Sequence, residues 1–273
     1  GVQTCALPIC IIMSKTITFS VPKGGAGKTT VTFNFAGLLN SLGYKVLLID
    51  SDYQGSLSST YNQFTNDKSL FNVFNGGEVL IRGISPLLSI LPASPRLEEL
   101  DGLLNSKNNK HFLMMMWLQD HVDLISDYDY ILIDTHPGFN TVTQNMIAVS
   151  DYVVVPLMPT DYGFIQAKNQ FDLHFESFKA DAVDVRTRES LIEAKPIYIG
   201  TQVKHNTSIS HEFVRMTKDM SDFIGYTVHR EIYNYATTIG VPIMLADDTH
   251  KHDLKAEKEI AEVYGQLLER IKD

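Results

Sequence analysis

The sequence is poor in the residues that build covalent cross-links and in the long apolar runs that cross membranes. Only two of its 273 residues are cysteine, and both, Cys5 and Cys10, lie near the N-terminus. A disulfide framework, a thiolate metal site and an iron–sulfur cluster are therefore excluded for the rest of the chain. No apolar run approaches the ~18 residues of a membrane-spanning helix. We expect a protein of the reducing cytoplasm that does not engage a membrane.

The first twelve residues read unlike the rest of the chain. The stretch from Gly1 to Ile9 resembles a translated sequencing adaptor, and it lacks the basic region and longer apolar core of a signal peptide. Met13 is the expected start, so residues 1–12 are expected to be a non-native tail. Residues 13–273 are then expected to form one large α/β domain, which 44% hydrophobic residues can supply with a full core.

Positive charge is also scarce, because the 23 lysines and arginines are outnumbered by 32 aspartates and glutamates, which gives a net charge of −9. This balance does not favour nucleic-acid binding by bulk charge. Contact with DNA would need a local basic patch, for which the C-terminal third offers six candidates. These are Arg215, Lys218, Lys251, Lys255, Arg270 and Lys272.

The stretch 21–30 joins a β-branched run to a segment with helical periodicity, and it is rich in glycine. Residues 16–21 predict a buried strand, and Phe33, Ala36, Leu38 and Leu39 predict a helix. Glycines let backbone N–H groups turn toward an anion, and the helix N-terminus adds partial positive charge. The sequence therefore predicts a phosphate-binding loop. Its residues are Gly24, Gly25, Ala26, Gly27, Lys28, Thr29 and Thr30.

Within this loop two side chains have predicted tasks. Lys28 is expected to reach the β- and γ-phosphates of a nucleotide, and the Thr29 hydroxyl to bind Mg²⁺. The alternative is a glycine-rich turn with incidental surface lysines. The strand before the loop and the helix after it favour the phosphate-binding interpretation.

Carboxylates follow two further apolar runs. Asp50 and Asp52 come after residues 46–49, and Asp134 ends residues 128–134. The carboxyl ends of parallel strands face the ligand crevice of an open α/β sheet, so these groups are expected near the loop. An apolar strand ending in Asp is typical of a magnesium-binding nucleotide site. The alternative use of a single such aspartate is as a helix cap.

These segments together resemble the ParA/MinD family of ATPases with a deviant Walker A box. The first box reads K-G-G-A-G-K-T from Lys23, the second D-S-D-Y-Q from Asp50 and the third D-T-H-P-G from Asp134. Tyr53 and His136 depart from the usual family pattern, which has proline at both positions. His136 is either a neutral histidine hydrogen-bonded to a neighbour, the simpler interpretation, or a residue that senses the γ-phosphate or lines a dimer interface.

The resemblance implies roles for individual residues. Lys23 would cross a dimer interface to the partner's nucleotide, Asp50 and Asp134 would lie near Mg²⁺, and Asp52 would orient or activate the attacking water. By the same resemblance, the end of the strand predicted over 196–203 approaches the adenine base, which we carry over to Gln202 and Lys204.

The alternation of strands and helices predicts a mostly parallel, doubly wound sheet with helices on both faces. The resemblance implies an ATPase that dimerises with ATP, binds DNA without sequence preference and is stimulated by a ParB-like partner. By the same resemblance, this cycle segregates plasmids or chromosomes. The chain resembles the short form of ParA, without a helix-turn-helix before the first box. The C-terminal helix lacks the basic, aromatic character of a membrane-targeting helix.

Other functions remain open at this point. A MinD-like or cluster-positioning ATPase that does not bind DNA would suit the acidic charge balance. A small ligase on the same fold would not need Lys23, and an iron-protein reductase would need cysteines that the domain lacks. A nucleotide sensor without significant turnover is the fourth possibility.

Overall fold

The structure is a computed structural model, and it describes residues 14–160 and 163–272. The expected tail, residues 1–12, and Met13 lie outside the described residues. In the described part of the chain eight strands form one sheet. They are β1 (Lys15–Phe19), β2 (Val46–Ser51), β3 (Arg82–Ser85), β4 (Leu88–Leu91), β5 (Tyr130–Thr135), β6 (Tyr152–Leu157), β7 (Lys195–Val203) and β8 (Phe223–Val228).

The spatial order of the strands is β3-β4-β2-β5-β1-β6-β7-β8. Every neighbouring pair is parallel except β3 and β4, which are antiparallel at the sheet edge. The predicted mostly parallel, doubly wound sheet is confirmed. Strand β3 was not predicted from the sequence.

Helices cover both faces of this sheet. They are α1 (Lys28–Ser41), α2 (Ser56–Thr60), α3 (Leu70–Asn75), α4 (Leu100–Leu104), α5 (Leu113–Asp120), α6 (Val122–Ile125), α7 (Thr141–Ala148), α8 (Gly163–Asp181), α9 (Ser208–Thr217), α10 (Glu231–Ile239) and α11 (Leu254–Lys272). Two short 3₁₀ turns, Pro95–Glu99 and Ile243–Leu245, complete the described elements. None of the helices described is both long and apolar enough to cross a membrane.

The strands divide the interior into cores on opposite faces of the sheet. Successive side chains of a strand point to opposite faces. On β2, Leu48 packs into a core with α1 and α11, whereas Leu47 and Ile49 pack into a second core with α3, α5 and α7. A third core joins β6 to α8 and α9. Apolar side chains on both faces explain why the strand sequences are continuously apolar rather than alternating.

Helix α1 lies at the centre of the first core and is buried on all sides from Val31 to Asn40. The apolar stripe of α11, which includes Ile260, Tyr264 and Leu267, belongs to the same core. Burial on every side fixes the axis of α1, and with it the loop that precedes the helix. The position of that loop therefore depends on packing far from the loop itself.

A prediction about stability concerns Gly37, in the middle of α1. A Cβ atom at this position would overlap Cβ of Pro242. The proline ring has little freedom to move away, so Gly37→Ala is expected to lower the free energy of unfolding by about 1–3 kcal/mol. Urea unfolding measures this change.

Gly265→Ala is the matched control, because Gly265 lies in α11 and a Cβ there meets no atom within 4 Å. This variant is expected to be as stable as the parent or up to ~1 kcal/mol more stable, since alanine favours helix. Equal stability of Gly37→Ala and the parent would contradict the tight packing of α1 against Pro242.

Candidate nucleotide-binding site

The loop between β1 and α1 ends in two glycines with left-handed backbone angles. The φ values are 76° at Gly25 and 83° at Gly27, a region that side chains rarely tolerate. Gly27 is the N-cap residue of α1, and no side chain caps this helix end. The N–H groups of the first turn of α1 therefore remain available to an anion.

Strand β7 holds the loop from behind. The Thr201 hydroxyl donates to the carbonyl oxygen of Ala26 at 2.8 Å, and Gln202 Nε2 donates to that of Gly25 at 2.8 Å. Gln202 itself has a φ of 55°, which is unusual inside a strand. By binding two loop carbonyls, β7 leaves the loop's N–H groups to face the other way.

Lys28 is the first residue of α1 and is only 6% exposed. Burial lowers the pKa of its amine, while the negative charges of Asp134 and Asp52 act in the opposite direction. The amine thus lies between acidic groups at the loop, where a phosphate would also lie. The next residue, Thr29, donates its hydroxyl to Asp134 Oδ2 at 2.6 Å.

Asp50 and Asp134 lie opposite each other on the neighbouring strands β2 and β5. Both are essentially fully buried, at 0% and 1% exposure. Burial raises the pKa of Asp134, and the charge of Asp50 raises it further. Burial likewise raises the pKa of Asp50. Two such groups side by side disfavour their own ionisation unless positive charge lies nearby.

The two carboxylates differ in their hydrogen bonds. Asp50 Oδ2 accepts from the backbone N and the hydroxyl of Ser58, both at 2.7 Å, and its Oδ1 accepts from the backbone N of Asp52 at 3.2 Å. Asp134 Oδ1, in contrast, is buried and has no hydrogen-bond partner among the described residues. An oxygen of this kind beside the Thr29 hydroxyl fits a hard cation, which prefers oxygen ligands.

Asp52 follows β2 and reaches back toward β5. Its Oδ1 accepts from the backbone N of Gln54 at 2.9 Å and lies 3.0 Å from Nδ1 of His136. The ring of Tyr53 lies against the ring of His136, with centroids 4.4 Å apart. His136 is therefore hydrogen-bonded to a neighbour, and that neighbour is one of the predicted site residues.

An open cavity of about 500 Å³ lies in front of the loop. Its lining combines predicted residues with others from α2 and α10 that no motif indicated. The lining residues are Gly25, Gly27, Lys28, Thr29, Thr30, Asp52, Ser56, Thr60, Pro137, Gln202, Asn234, Thr237 and Thr238. A smaller cavity of about 100 Å³ adjoins Gly27 and Gln202 and is closed by residues of α10, among them Tyr233.

Six of the predicted site residues line neither cavity: Lys23, Gly24, Ala26, Asp50, Asp134 and Lys204. Lys23 is exposed, and its Nζ lies 3.2 Å from the hydroxyl of Thr160, after β6. Lys204 is exposed and lines neither cavity. Gly24 and Ala26 belong to the loop, but Ala26 is buried behind it. The structure thus gathers Lys28, Thr29, Asp52 and Gln202 at one opening, with Asp50 and Asp134 beneath.

At one end of the parallel sheet, a glycine-rich loop meets a buried lysine and the carboxylates at the ends of two strands. This is the arrangement of P-loop nucleotide-binding proteins. A family model described as an AAA domain matches residues 14–179, more than half of the chain. The chain belongs to this family, and its sequence is similar to ParA-type partition proteins.

The chain is similar to known proteins in sequence and in fold. The chromosome partitioning protein ParA of Myxococcus xanthus is 29% identical over 184 residues, which cover 62% of this chain and 62% of that protein. A putative plasmid partition protein of Borrelia burgdorferi, bound to AMPPNP, has a TM-score of 0.77 at 22% identity and covers 94% of this chain and 99% of its own. An ATP complex of a Cyanothece McdA variant has a TM-score of 0.79 at 16% identity, with coverage of 95% and 97%.

Proposed function

We propose that this chain is an ATPase that dimerises when it binds ATP and that takes part in plasmid or chromosome partition. The observation that carries the proposal is the cavity lined by Lys28, Thr29 and Asp52. It lies in front of the loop that hydrogen bonds from β7 hold in place. The partition role is proposed from the ParA relative of Myxococcus xanthus. The ParB-like partner that stimulates hydrolysis and the cytoplasmic location are proposed from the resemblance of the sequence motifs to the ParA/MinD family. The nucleotides named for the two structural neighbours support ATP as the ligand.

Magnesium is the proposed metal, and Thr29 and Asp134 are its proposed protein contacts. The supporting observation is Oδ1 of Asp134, which is buried and has no hydrogen-bond partner in the part of the chain that the structure describes. No group of three or more His, Cys, Asp and Glu side chains able to hold a metal lies in residues 14–160 and 163–272. Mg²⁺ commonly uses one or two carboxylates together with phosphate oxygens, so this donor set suits it. Mg²⁺ would supply positive charge to the phosphates.

The hydrogen bonds of Asp50 suggest a less direct task than metal ligation. Both of its oxygens accept from protein donors, which fix the start of α2 and the turn after β2. We therefore propose that Asp50 acts on a cation through its charge and through the position it gives Asp52.

Three side chains have proposed roles in hydrolysis. Lys28 places positive charge on the transferred phosphoryl group, where negative charge develops. Asp52 orients the attacking water and accepts its proton. Lys23 lies on the loop surface, outside the cavity that Lys28 lines, and acts on the nucleotide of a second copy across the dimer interface.

The adenine base of ATP is proposed to lie toward β7 and α10. Gln202 and Tyr233 both line the small cavity behind the loop, and this supports the adenine assignment for Gln202. Lys204 is exposed and directly follows β7, two residues after Gln202, so we retain it only as a contact at the edge of that site.

Three variants separate the proposed roles. Lys28→Ala should abolish ATP binding. Lys23→Ala should keep nucleotide binding but lose ATP-dependent dimers, because this lysine acts across the interface. Asp52→Ala should bind ATP at least as tightly and dimerise, with hydrolysis lowered by ~10²-fold or more, since the carboxylate helps only as the nucleophile forms.

Sizing chromatography with ATP and a phosphate-release assay distinguish these outcomes. Lys45→Ala is the matched control, because Lys45 precedes β2 at the opposite end of the sheet and pairs with Asp127 at 3.5 Å. It should behave as the parent. An Asp52→Ala protein that hydrolyses ATP normally, or that stays monomeric with ATP, would refute the proposed carboxylate role.

The six candidate basic residues for DNA contact bear on a second function. Three of them already pair with acidic neighbours: Arg215 with Glu212 at 2.6 Å, Arg270 with Asp222 at 3.4 Å and Lys272 with Glu269 at 3.0 Å. Together with the net charge of −9, these pairs favour the alternative of a cluster-positioning ATPase that does not bind DNA. A MinD-like membrane version is disfavoured, because the apolar stripe of α11 is buried in the core.

DNA binding decides between the two candidates. A partition protein should bind duplex DNA only with ATP, and its affinity should fall by about tenfold or more between 50 and 200 mM salt as counterions are released. Fluorescence anisotropy measures this. Lys218→Glu should weaken DNA binding. Lys68→Glu is the charge-matched control: it changes the net charge equally, but Lys68 lies in the N-terminal half and pairs with Glu78 at 2.8 Å. Absence of ATP-dependent binding at low salt selects the cluster-positioning function.

A further inference from the structure

Two aromatic rings meet beside Asp52, at the ends of β2 and β5. The rings of Tyr53 and His136 have centroids 4.4 Å apart and planes at 34°. These are the two positions where the chain departs from the proline pattern of its family. The function proposed above gives neither side chain a task, although both lie beside the carboxylate assigned to the attacking water.

His136 contacts that carboxylate directly. Its Nδ1 lies 3.0 Å from Oδ1 of Asp52. An ionised carboxylate only accepts hydrogen bonds, so Nδ1 carries a proton and donates it to Oδ1. The backbone N of Gln54 donates to the same oxygen at 2.9 Å. Oδ1 therefore has two donors on two different segments of the chain.

The second oxygen of Asp52 is left for other contacts. No group in residues 14–160 and 163–272 donates a hydrogen bond to Oδ2, although Asp52 lines the cavity together with Lys28 and Thr29. The torsion that orients a carboxylate has broad minima, so one donor alone holds it loosely. The two donors on Oδ1 fix the carboxylate plane and with it the direction of Oδ2.

We propose that Tyr53 and His136 form a positioning pair that orients Asp52 for hydrolysis. Tyr53 fixes the plane of the imidazole, His136 binds Oδ1, and Oδ2 is thereby aimed at the water that attacks the γ-phosphate. The proposal rests on the proposed function, because it takes Asp52 as the group that receives the water's proton. Neither Tyr53 nor His136 lines the cavity in front of the loop, so the pair should affect turnover rather than ATP binding.

The burial of the Asp52 and His136 side chains supports a positioning task. The side chain of Asp52 is 12% exposed and that of His136 is 24% exposed. A partly covered hydrogen bond of this kind is more rigid than one on an open surface, because water competes for it less. Since the imidazole also packs on Tyr53, loss of the ring of Tyr53 frees the imidazole to rotate away from Oδ1.

The first experiment separates kcat from ATP affinity. His136→Leu removes the donor and should lower kcat by about tenfold, with the Kd for ATP within about twofold of the parent. His136→Asn restores an N–H donor close to the position of Nδ1 and should bring kcat back to within about threefold of the parent. A structural role in packing alone would not be rescued by the smaller, polar asparagine.

His121→Leu is the matched control. His121 also stacks on an aromatic ring, that of Trp117 at 4.5 Å, and its Nδ1 lies 2.8 Å from the carbonyl oxygen of Trp117. It follows α5, far from the loop in the sequence, so its replacement should leave kcat unchanged. A fall in kcat for His121→Leu equal to that for His136→Leu would overturn the proposal.

A double-mutant cycle tests whether the two rings act as one unit. Tyr53→Leu should lower kcat by a few-fold, and Tyr53→Leu with His136→Leu should be no slower than His136→Leu alone. Fully multiplicative effects would show that Tyr53 does not act through His136, and they would contradict the pair.

A second measurement does not depend on ATP hydrolysis. The ¹⁵N chemical shifts of His136 should report the Nδ1-protonated tautomer in the parent and lose that signature in Asp52→Ala. If the shifts report the Nε2-protonated tautomer, the positioning pair is wrong whatever the activity. If the tautomer is as expected but Lys28→Ala still binds ATP, the proposed function fails while the contact stands.

Discussion

Two aspartates buried side by side impose the main constraint on this molecule. Asp50 and Asp134 face each other across β2 and β5 with almost no exposure to solvent. Burying charge is costly unless partners compensate for it, and the fold compensates the two unequally. Among the residues that the structure describes, three hydrogen bonds are donated to the Asp50 carboxylate, whereas Asp134 accepts one from Thr29 and its Oδ1 has no partner. The imbalance leaves the site ready for positive charge at Asp134, and it explains why Lys28 lies nearby.

The rest of the fold keeps that charge in place. Helix α1 is buried on every side, so Lys28 and Thr29 at its start cannot shift without disturbing the core. From the opposite side, Thr201 and Gln202 bind the carbonyls of the loop, and Gln202 takes a left-handed conformation to do so. Strain of this kind at one residue persists only where its surroundings hold it. The loop is therefore fixed before any nucleotide arrives, which reduces the ordering that binding requires.

The sequence predicted those parts of the site that follow from local patterns. The strand before the glycines, the helix after them and the aspartates at strand ends are short-range signals, and the structure contains them all. Strand β3 was missed because it is a four-residue edge strand, Arg82–Ser85, with no buried residue. The threonines of α10 that line the cavity belong to no motif. The contact between Asp52 and His136 joins residues 84 positions apart, and no local pattern encodes such a pair.

The central claim is that a cation bound at Thr29 and Asp134 completes the nucleotide site. Calorimetric titration of the full chain with ATP, in Mg²⁺ and in EDTA, tests this claim when repeated with Asp134→Asn. The parent should bind ATP at least about tenfold more tightly with Mg²⁺, a gain of roughly 1.4 kcal/mol or more. Asp134→Asn keeps the shape of the side chain but loses its charge, so most of that gain should vanish. Equal ATP affinity with and without Mg²⁺ in the parent, or a full gain in Asp134→Asn, would contradict the account.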